Sequence, residues 1–196
     1  MSEKEVETCC PASPEQWREW LQENHDKKPA IWLIYYKKHT GVPSLSWSEA
    51  VDEALCFGWI DSQARPLDPD RYMQCFTPRK ATSGWSGVNK DKVERLTQAG
   101  RMTAAGLRAV AVARQNGTWT LLDEVEALVI PPDLEAALQQ QPAAHQYFLA
   151  LSKSDKKALL QWLVLAKRPA TRQRRLTELV QLAAQGLKAG PLRSQR

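Results

Sequence analysis

Apolar residues recur along this chain first at helical spacing, then in unbroken or alternating runs, then at helical spacing again to the end, and that succession predicts the elements in order. Behind Ser13-Pro14-Glu15-Gln16, the residues Trp17, Trp20, Leu21 and Asn24 stand at i, i+3, i+4 and i+7. This is a helix opened by a serine cap, with proline in its first position and glutamine completing a capping box, docked through its indoles and ended by Lys27-Lys28-Pro29. Residues 30–38 read AIWLIYYKK between Pro29 and the turn at Thr40-Gly41. Aromatic and β-branched side chains at nearly every position predict a strand covered on both faces. Ser46 and Glu49 form a second capping box, ahead of a helix striped by Val51, Ala54 and Leu55 and stopped at Gly58.

Two strands follow, at about 59–65 and 72–77, joined by the turn-forming PLDPD. Paired as a hairpin centred on Asp68-Pro69, they set Asp61 opposite Phe76, Gln63 opposite Gln74 and Arg65 opposite Tyr72. A period of two then places Trp59, Asp61, Gln63, Arg65, Tyr72, Gln74 and Phe76 on one face, and Ile60, Ser62, Ala64, Met73, Cys75 and Thr77 on the other. The second set reads as core. The first mixes hydrogen-bonding groups with aromatic walls, the make-up of a recognition surface.

Pro78 ends this run, Arg79-Lys80 stand at its mouth, and SGWSG at 83–87 is a loop. Ser86 or Asn89 caps a helix carrying Val93 and Leu96 to a stop at Gly100; Thr103 caps another with Leu107, Val110 and Arg114 at helical spacing, ended by Asn116-Gly117. The short apolar stretch 119–122 fits neither period. From Pro131-Pro132 onward every pattern is helical. One helix starts at Asp133 (Leu134, Ala137, Leu138), one at Pro142 (His145, Phe148, Leu149), and one at Ser152 or Ser154 (Leu159, Trp162, Leu163, Ala166), broken by Pro169. The last covers about 171–185 and turns Leu176, Leu179, Val180 and Ala183 inward. The fold class that follows is α+β: a small mixed or antiparallel sheet of about three to four strands packed by helices, with an all-helical C-terminal segment. The expected organisation is a disordered tail over 1–12, an α+β domain with a ligand cleft over 13–125, a helical subdomain over 126–187 and a second tail over 188–196.

Composition adds limits to this outline. A chain of 196 residues with 43% hydrophobic side chains is long enough to bury a core, and its eight tryptophans bring wide apolar area together with N–H groups that need partners. The opening MSEKEVET has neither the basic region nor the apolar run of a secretory signal, and no stretch approaches the roughly 18 apolar residues of a transmembrane segment. Cys9, Cys10, Cys56 and Cys75 make neither a CxxC pair nor a disulfide framework, so a cytoplasmic, soluble protein is expected. The net charge of +5 is uneven, since residues 151–196 carry +9 and the remainder −4. Such asymmetry suits a polyanion partner, although a solvated basic helix face is the plainer reading.

Several chemistries are missing. Neither GxxxxGK[ST] nor GxGxxG occurs, and around Ser86 the second glycine of a nucleophile elbow is replaced by Val88. His25, His39 and His145 are scattered without ligand spacing, so neither a metal nor another cofactor is expected. Asp61 stands in a strand, where aspartate is disfavoured; it can bind a ligand, act as a base, or simply pair with Arg65 or Arg79. Arg79 and Lys80 compose an anion site with the first N–H groups of the helix near Asn89, Trp85 serving as a stacking wall; the competing reading has solvated cations and Trp85 plugging the core. On the last helix, Arg172 and Arg175 lay their stems along the apolar stripe and aim their guanidinium groups at a partner or an acid, while Arg174 reaches Glu178 one turn on.

Taken together, WLIYYKKHTGVPSLSWSEAVDEALCFGWIDSQ, RYMQCFTPRK, SGWSGVNKDKVERL, GRMTAAGL and AKRPATRQRR resemble the YdeI/OmpD-associated family, the bacteriocin-protection proteins, over about 17–186. The resemblance implies a bacterial-type α+β protein linked to envelope stress and to tolerance of cationic antimicrobial peptides, with no established reaction and no catalytic residues to carry over. The expected function is a non-enzymatic binding or regulatory protein that takes a small anionic or amphipathic ligand at Trp59, Asp61, Gln63, Gln74, Phe76, Arg79, Lys80, Trp85 and Asn89, with room for a protein partner. Two alternatives stand beside it: an enzyme on a small polar substrate with Asp61 as base, and nucleic-acid binding through the basic C-terminal helices. The last ranks lower, because aromatics are not interleaved with its cations.

Overall fold

Ser13 caps helix α1 (Pro14–Asn24) by accepting from the Gln16 amide, and the Gln16 side chain reaches back to the amide of Ala12 at 2.9 Å rather than to Ser13. The capping box at Ser46 and Glu49 is complete at the start of α2 (Trp47–Cys56). These two helices pack on a four-stranded sheet built from β1 (Thr8–Cys9), β2 (Ile31–Tyr36), β3 (Trp59–Pro66) and β4 (Arg71–Pro78). The strand order is β1-β2-β4-β3, with β1 parallel to β2 and the other neighbours antiparallel, so the sheet is mixed and the fold α+β. The structure, a computed structural model, describes residues 7–194, which form two compact units divided after Trp119.

The expected tail over 1–12 needs correction from Thr8 on, because Thr8 and Cys9 pair with Trp32 and Leu33 and close the free edge of β2. Residues 1–6 of that tail lie outside the described residues.

The hairpin departs from its expected register at one point. Asp61 does pair with Phe76, but a β-bulge follows, so Ala64 faces Gln74, Arg65 faces Met73 and Pro66 faces Tyr72. One extra residue on β3 reverses the facing of all that follows it. Arg65 is therefore carried to the outer face, where its guanidinium lies 4.6 Å from the Trp32 ring.

The two faces also exchange roles. Trp59, Gln74 and Phe76 share the face that α1 and α2 cover, together with Ile31, Leu33 and Tyr35, and Trp59 and Phe76 are closed in the core. Ile60, Met73, Cys75 and Thr77, expected as core, stay half-buried on the open face. The cause is the indole content of α1. Trp17 stacks on Trp20 at 5.2 Å and meets Phe76 edge-on at 5.6 Å, while Trp20 meets Trp59 edge-on at 5.9 Å. The indole N–H groups of Trp17 and Trp59 each find a carbonyl, on Ala50 and His25, both at 3.0 Å. Aromatic area of this size outweighs the few polar groups on the same face and draws the helices onto it.

Ser86, not Asn89, caps α3 (Gly87–Gln98), and Thr103 caps α4 (Ala104–Gln115). On α4 the buried positions are Gly106, Val110 and Ala113, whereas Leu107 is exposed. Small residues hold the inner face because α4 lies directly on the end of α2.

The second unit is wholly helical: α5 (Asp123–Glu126), α6 (Pro132–Gln139), α7 (Pro142–Ala150), α8 (Lys153–Val164), α9 (Pro169–Ala184) and a final 3-10 turn at Gly190–Ser194. Its core collects Leu134, Leu138, Phe148, Leu159, Leu163 and Leu179. The second expected tail, 188–196, is corrected as far as Leu192, because Ala189 and Leu192 are buried in that core. Arg172 makes a two-pronged ion pair with Asp133 at 2.7 and 2.8 Å, and Arg175 lies over Trp162 and donates to its carbonyl. The expected Arg174–Glu178 pair gives way to contacts of Glu178 with Arg193 and with the amide of Gly190. Among the described residues no helix is long and apolar enough to cross a membrane.

Candidate functional site

Arg79 leaves β4 just beyond Pro78, and its amide donates to the Gly58 carbonyl at 2.9 Å. Its guanidinium then lies over Trp85, with Cζ 3.6 Å from the ring centroid, and Nη2 donates to the Gly84 carbonyl at 2.8 Å. The loop between them is pinned from α4's far end, since Asn116 and Thr118 both donate to the Ala81 carbonyl. Trp85 is itself buried and its ring lies 5.0 Å from Trp119. The indole fills the core edge, as the second of the two readings had it, and offers its other face to the Arg79 guanidinium.

This stacked pair borders a cavity of about 320 Å³ whose remaining lining is Lys80, Ala81, Arg108, Ala109, Val112 and Ala113. Three cations and no carboxylate stand around an otherwise apolar hollow. Nε and Nη1 of Arg79 are buried and have no hydrogen-bond partner among the described residues. Burial draws the guanidinium down to about 10, against the pull of the Asp61 charge, so it stays protonated at neutral pH. A planar donor fork kept charged and short of acceptors is suited to a carboxylate or a phosphate.

The remaining candidates lie elsewhere. Asp61 Oδ2 accepts from the Trp47 indole at 2.9 Å and from Gln74 Nε2 at 3.1 Å, and makes no ion pair with Arg65 or Arg79. Gln74, only 6% exposed, also donates to the Ser62 carbonyl at 3.2 Å and so serves the hairpin. Gln63 is exposed in the bulge and accepts from Arg65. Trp59 and Phe76, corrected above to core, do not line the Arg79 hollow. Asn89 sits half-buried in the first turn of α3, its amide on the Ser86 hydroxyl, and does not line the Arg79 hollow. The structure thus brings Arg79, Lys80 and Trp85 together around one hollow, leaves Gln74 on the hairpin, and sets Asp61 beside Lys80 only along another hollow of about 500 Å³.

Arg108 completes the cavity and was not legible as a site residue. The signal for it was the small-residue spacing Ala105, Ala109, Val112 and Ala113, which marks the side of α4 that closes on another element and puts Arg108 at its border. Among the described residues no three His, Cys, Asp or Glu side chains gather in a metal-binding cluster.

Comparison with known proteins divides the chain. No curated protein and no solved structure is significantly similar to it. Two families do match: residues 9–109 fit the one described as a domain of unknown function, DUF8412, and residues 127–186 fit the one described as bacteriocin-protection, YdeI or OmpD-associated. The resemblance drawn over 17–186 is thus carried by the C-terminal helices, while FGWID, FTPRK and the Trp85 loop fall within the first match. By that match, which takes in just over half of its length, the chain belongs to the family DUF8412, and its segment 127–186 matches the family described as bacteriocin-protection, YdeI or OmpD-associated.

Proposed function

We propose that this chain is a binding or regulatory protein whose first unit takes a small amphipathic anion in the cavity of Arg79, Lys80, Arg108 and Trp85. The observation that carries the reading is the Arg79 guanidinium, stacked on Trp85 at 3.6 Å with two N–H-bearing nitrogens unmatched, beside two further cations and no acid. The acid head of a ligand would take the cations, and a short apolar body would lie on Ala109, Val112 and Ala113. A volume of about 320 Å³ suits a ligand at the small end of the range for binding sites.

The family description of residues 127–186 supports reading this binding as part of bacteriocin protection, and a link to envelope stress belongs to the same proposal. A site walled by three cations repels cationic peptides, so the reading is a response to an anionic metabolite rather than capture of the toxic peptide itself. A cytoplasmic setting belongs to the same reading.

Titration calorimetry with hexyl phosphate, using hexanol as the uncharged control, tests it. The phosphate should bind, the alcohol should not, and Arg79→Ala and Arg108→Ala should each weaken binding about tenfold or more. Absence of heat with the native chain, or equal affinity in Arg79→Ala, sinks the reading.

A further inference from the structure

A second hollow, of about 590 Å³, opens beside the covered face of the sheet where α2 begins. Tyr35, Tyr72 and Trp47 wall it, and Lys37, Lys38 and residues 44–48 form its rim, with no Asp or Glu among the lining residues. Tyr35 and Tyr72 are direct partners across β2 and β4, and their rings stack at 5.0 Å with 12° between planes.

The Tyr35 hydroxyl is hard to account for as packing. The residue is 2% exposed, and its Oη has no hydrogen-bond partner among the described residues. An unmatched buried hydroxyl costs stability, and phenylalanine would fill the same space without that cost. Burial first, then Tyr72 and Asp61, push the phenol far above its ordinary range, so it remains a donor throughout the physiological range. What it lacks is an acceptor.

Trp47 supplies the second observation. It is 46% exposed, whereas the other seven tryptophans are buried or half-buried. An indole this open at the border of a hollow presents a ring face to whatever enters it. Its N–H is tethered to Asp61 Oδ2 at 2.9 Å, which fixes the ring at the mouth of the hollow. The Lys37 ammonium is spent on the carbonyls of Asp68 and Pro69, which leaves Lys38 as a cation at the rim.

We propose that this hollow binds a small planar aromatic acid. Its ring lies between the Tyr35–Tyr72 stack and the Trp47 indole, one of its oxygens accepts from Tyr35 Oη, and Lys38 supplies the positive rim. Because Oη is closed from solvent, a wall moves to admit the ligand, and Trp47, the most exposed aromatic of the lining, is that wall, giving up its tether to Asp61 as it swings aside. The site is separate from the Arg79 cavity and does not rest on it; the two share only the neighbouring charge of Asp61.

Saturation-transfer NMR on the full chain with 4-hydroxybenzoate, benzoate and indole-3-carboxylate, and cyclohexanecarboxylate as the non-planar control, tests the proposal. At least one aromatic acid should bind and the control should not. Binding should fall about tenfold in Tyr35→Phe, whose unliganded melting temperature equals or exceeds that of the native chain. Arg79→Ala should bind the aromatic acid unchanged, which separates this site from the other. Failure of all three acids to bind overturns the proposal, as does full binding by Tyr35→Phe. A lowered melting temperature in Tyr35→Phe also overturns it, by making the hydroxyl a structural group. Loss of binding in Arg79→Ala alone would move the ligand to the other cavity and has the same effect.

Discussion

Gly106 is seated on the carbonyl of Cys56, so close that a methyl group on the glycine would stand 2.3 Å from that oxygen. The same carbonyl accepts from the amide and the hydroxyl of Thr103, at 3.1 and 2.7 Å, so the end of α2 and the start of α4 are fastened at one atom. In an open helix, exchanging glycine for alanine adds up to ~1 kcal/mol of stability. Here the neighbour is backbone and cannot turn aside. Gly106→Ala should instead cost about 1–3 kcal/mol, the range for an overfilled core. Urea unfolding gives the sign directly, and a stabilised variant would show that α4 does not rest on α2 in this way.

Glu53 is 2% exposed and takes Arg18 at 2.8 Å on one oxygen and Arg101 on the other. Arg18 also donates to the Arg101 carbonyl at 2.9 Å, so three side-chain groups from α1, α2 and the turn before α4 hold one another. The arginines keep partial access to water, but the carboxylate does not. Glu53→Gln keeps the shape and removes the charge, and should cost about 2 kcal/mol, as for hydrogen bonds to a charged group. Arg101→Gln, whose head is nearly half exposed, should cost less than half as much. Equal losses in the two variants would mean that burial of the acid is not what sets the scale.

Helix starts were legible because each cap is a local device: Ser13, Ser46, Thr103 and Ser152 sit where the pattern put them. The facing of the hairpin was not. Period two says which residues share a face, but not which face the helices choose, and that choice went to the face carrying Trp59 and Phe76. The bulge after Asp61 was also hidden, since no glycine or proline marks it, and it alone moved Arg65 off the expected face. Of the proposed site, Arg79, Lys80 and Trp85 were readable because they are close in sequence. Arg108 was not, because only the packing of α4 brings it there. The motif AKRPATRQRR reads as a basic patch, yet Arg172 and Arg175 spend their charge inside the second unit.

An anion in the Arg79 cavity should show itself as stability. Burial lowers the affinity of Arg79 for its proton, which means the folded chain holds that charge at a cost that a bound acid offsets. Hexyl phosphate at about a hundred times its dissociation constant should therefore stabilise the native chain by about 2.7 kcal/mol. Arg79→Met keeps the stem on Trp85 and removes the charge. Its melting temperature should not respond to the same ligand; a shift equal to that of the native chain would place the ligand elsewhere.

The pair of Asp133 and Arg172 joins α6 to α9 and gives the second unit a pH dependence of known sign. The Arg172 guanidinium holds the Asp133 carboxyl below its ordinary range, chiefly through the two hydrogen bonds between them. A carboxyl depressed in the folded state contributes stability that is fully present above its unfolded value, about 3.9, and is lost as pH falls through the folded one. The Asp133 side chain is 44% exposed, so solvent screening limits the contribution to about 1 kcal/mol. Asp133→Asn should accordingly be less stable than the native chain by about that amount at pH 7, and the gap should close as the pH falls below the unfolded value and through the lowered folded one. Arg172 keeps its contact with the Leu163 carbonyl at 3.2 Å in either case, so the helix start is not expected to come apart. Urea titrations of both chains at a series of pH values measure the gap. A difference that stays constant down to the acid limit would assign the loss to shape rather than charge, and would remove the ion pair as the link between the two helices.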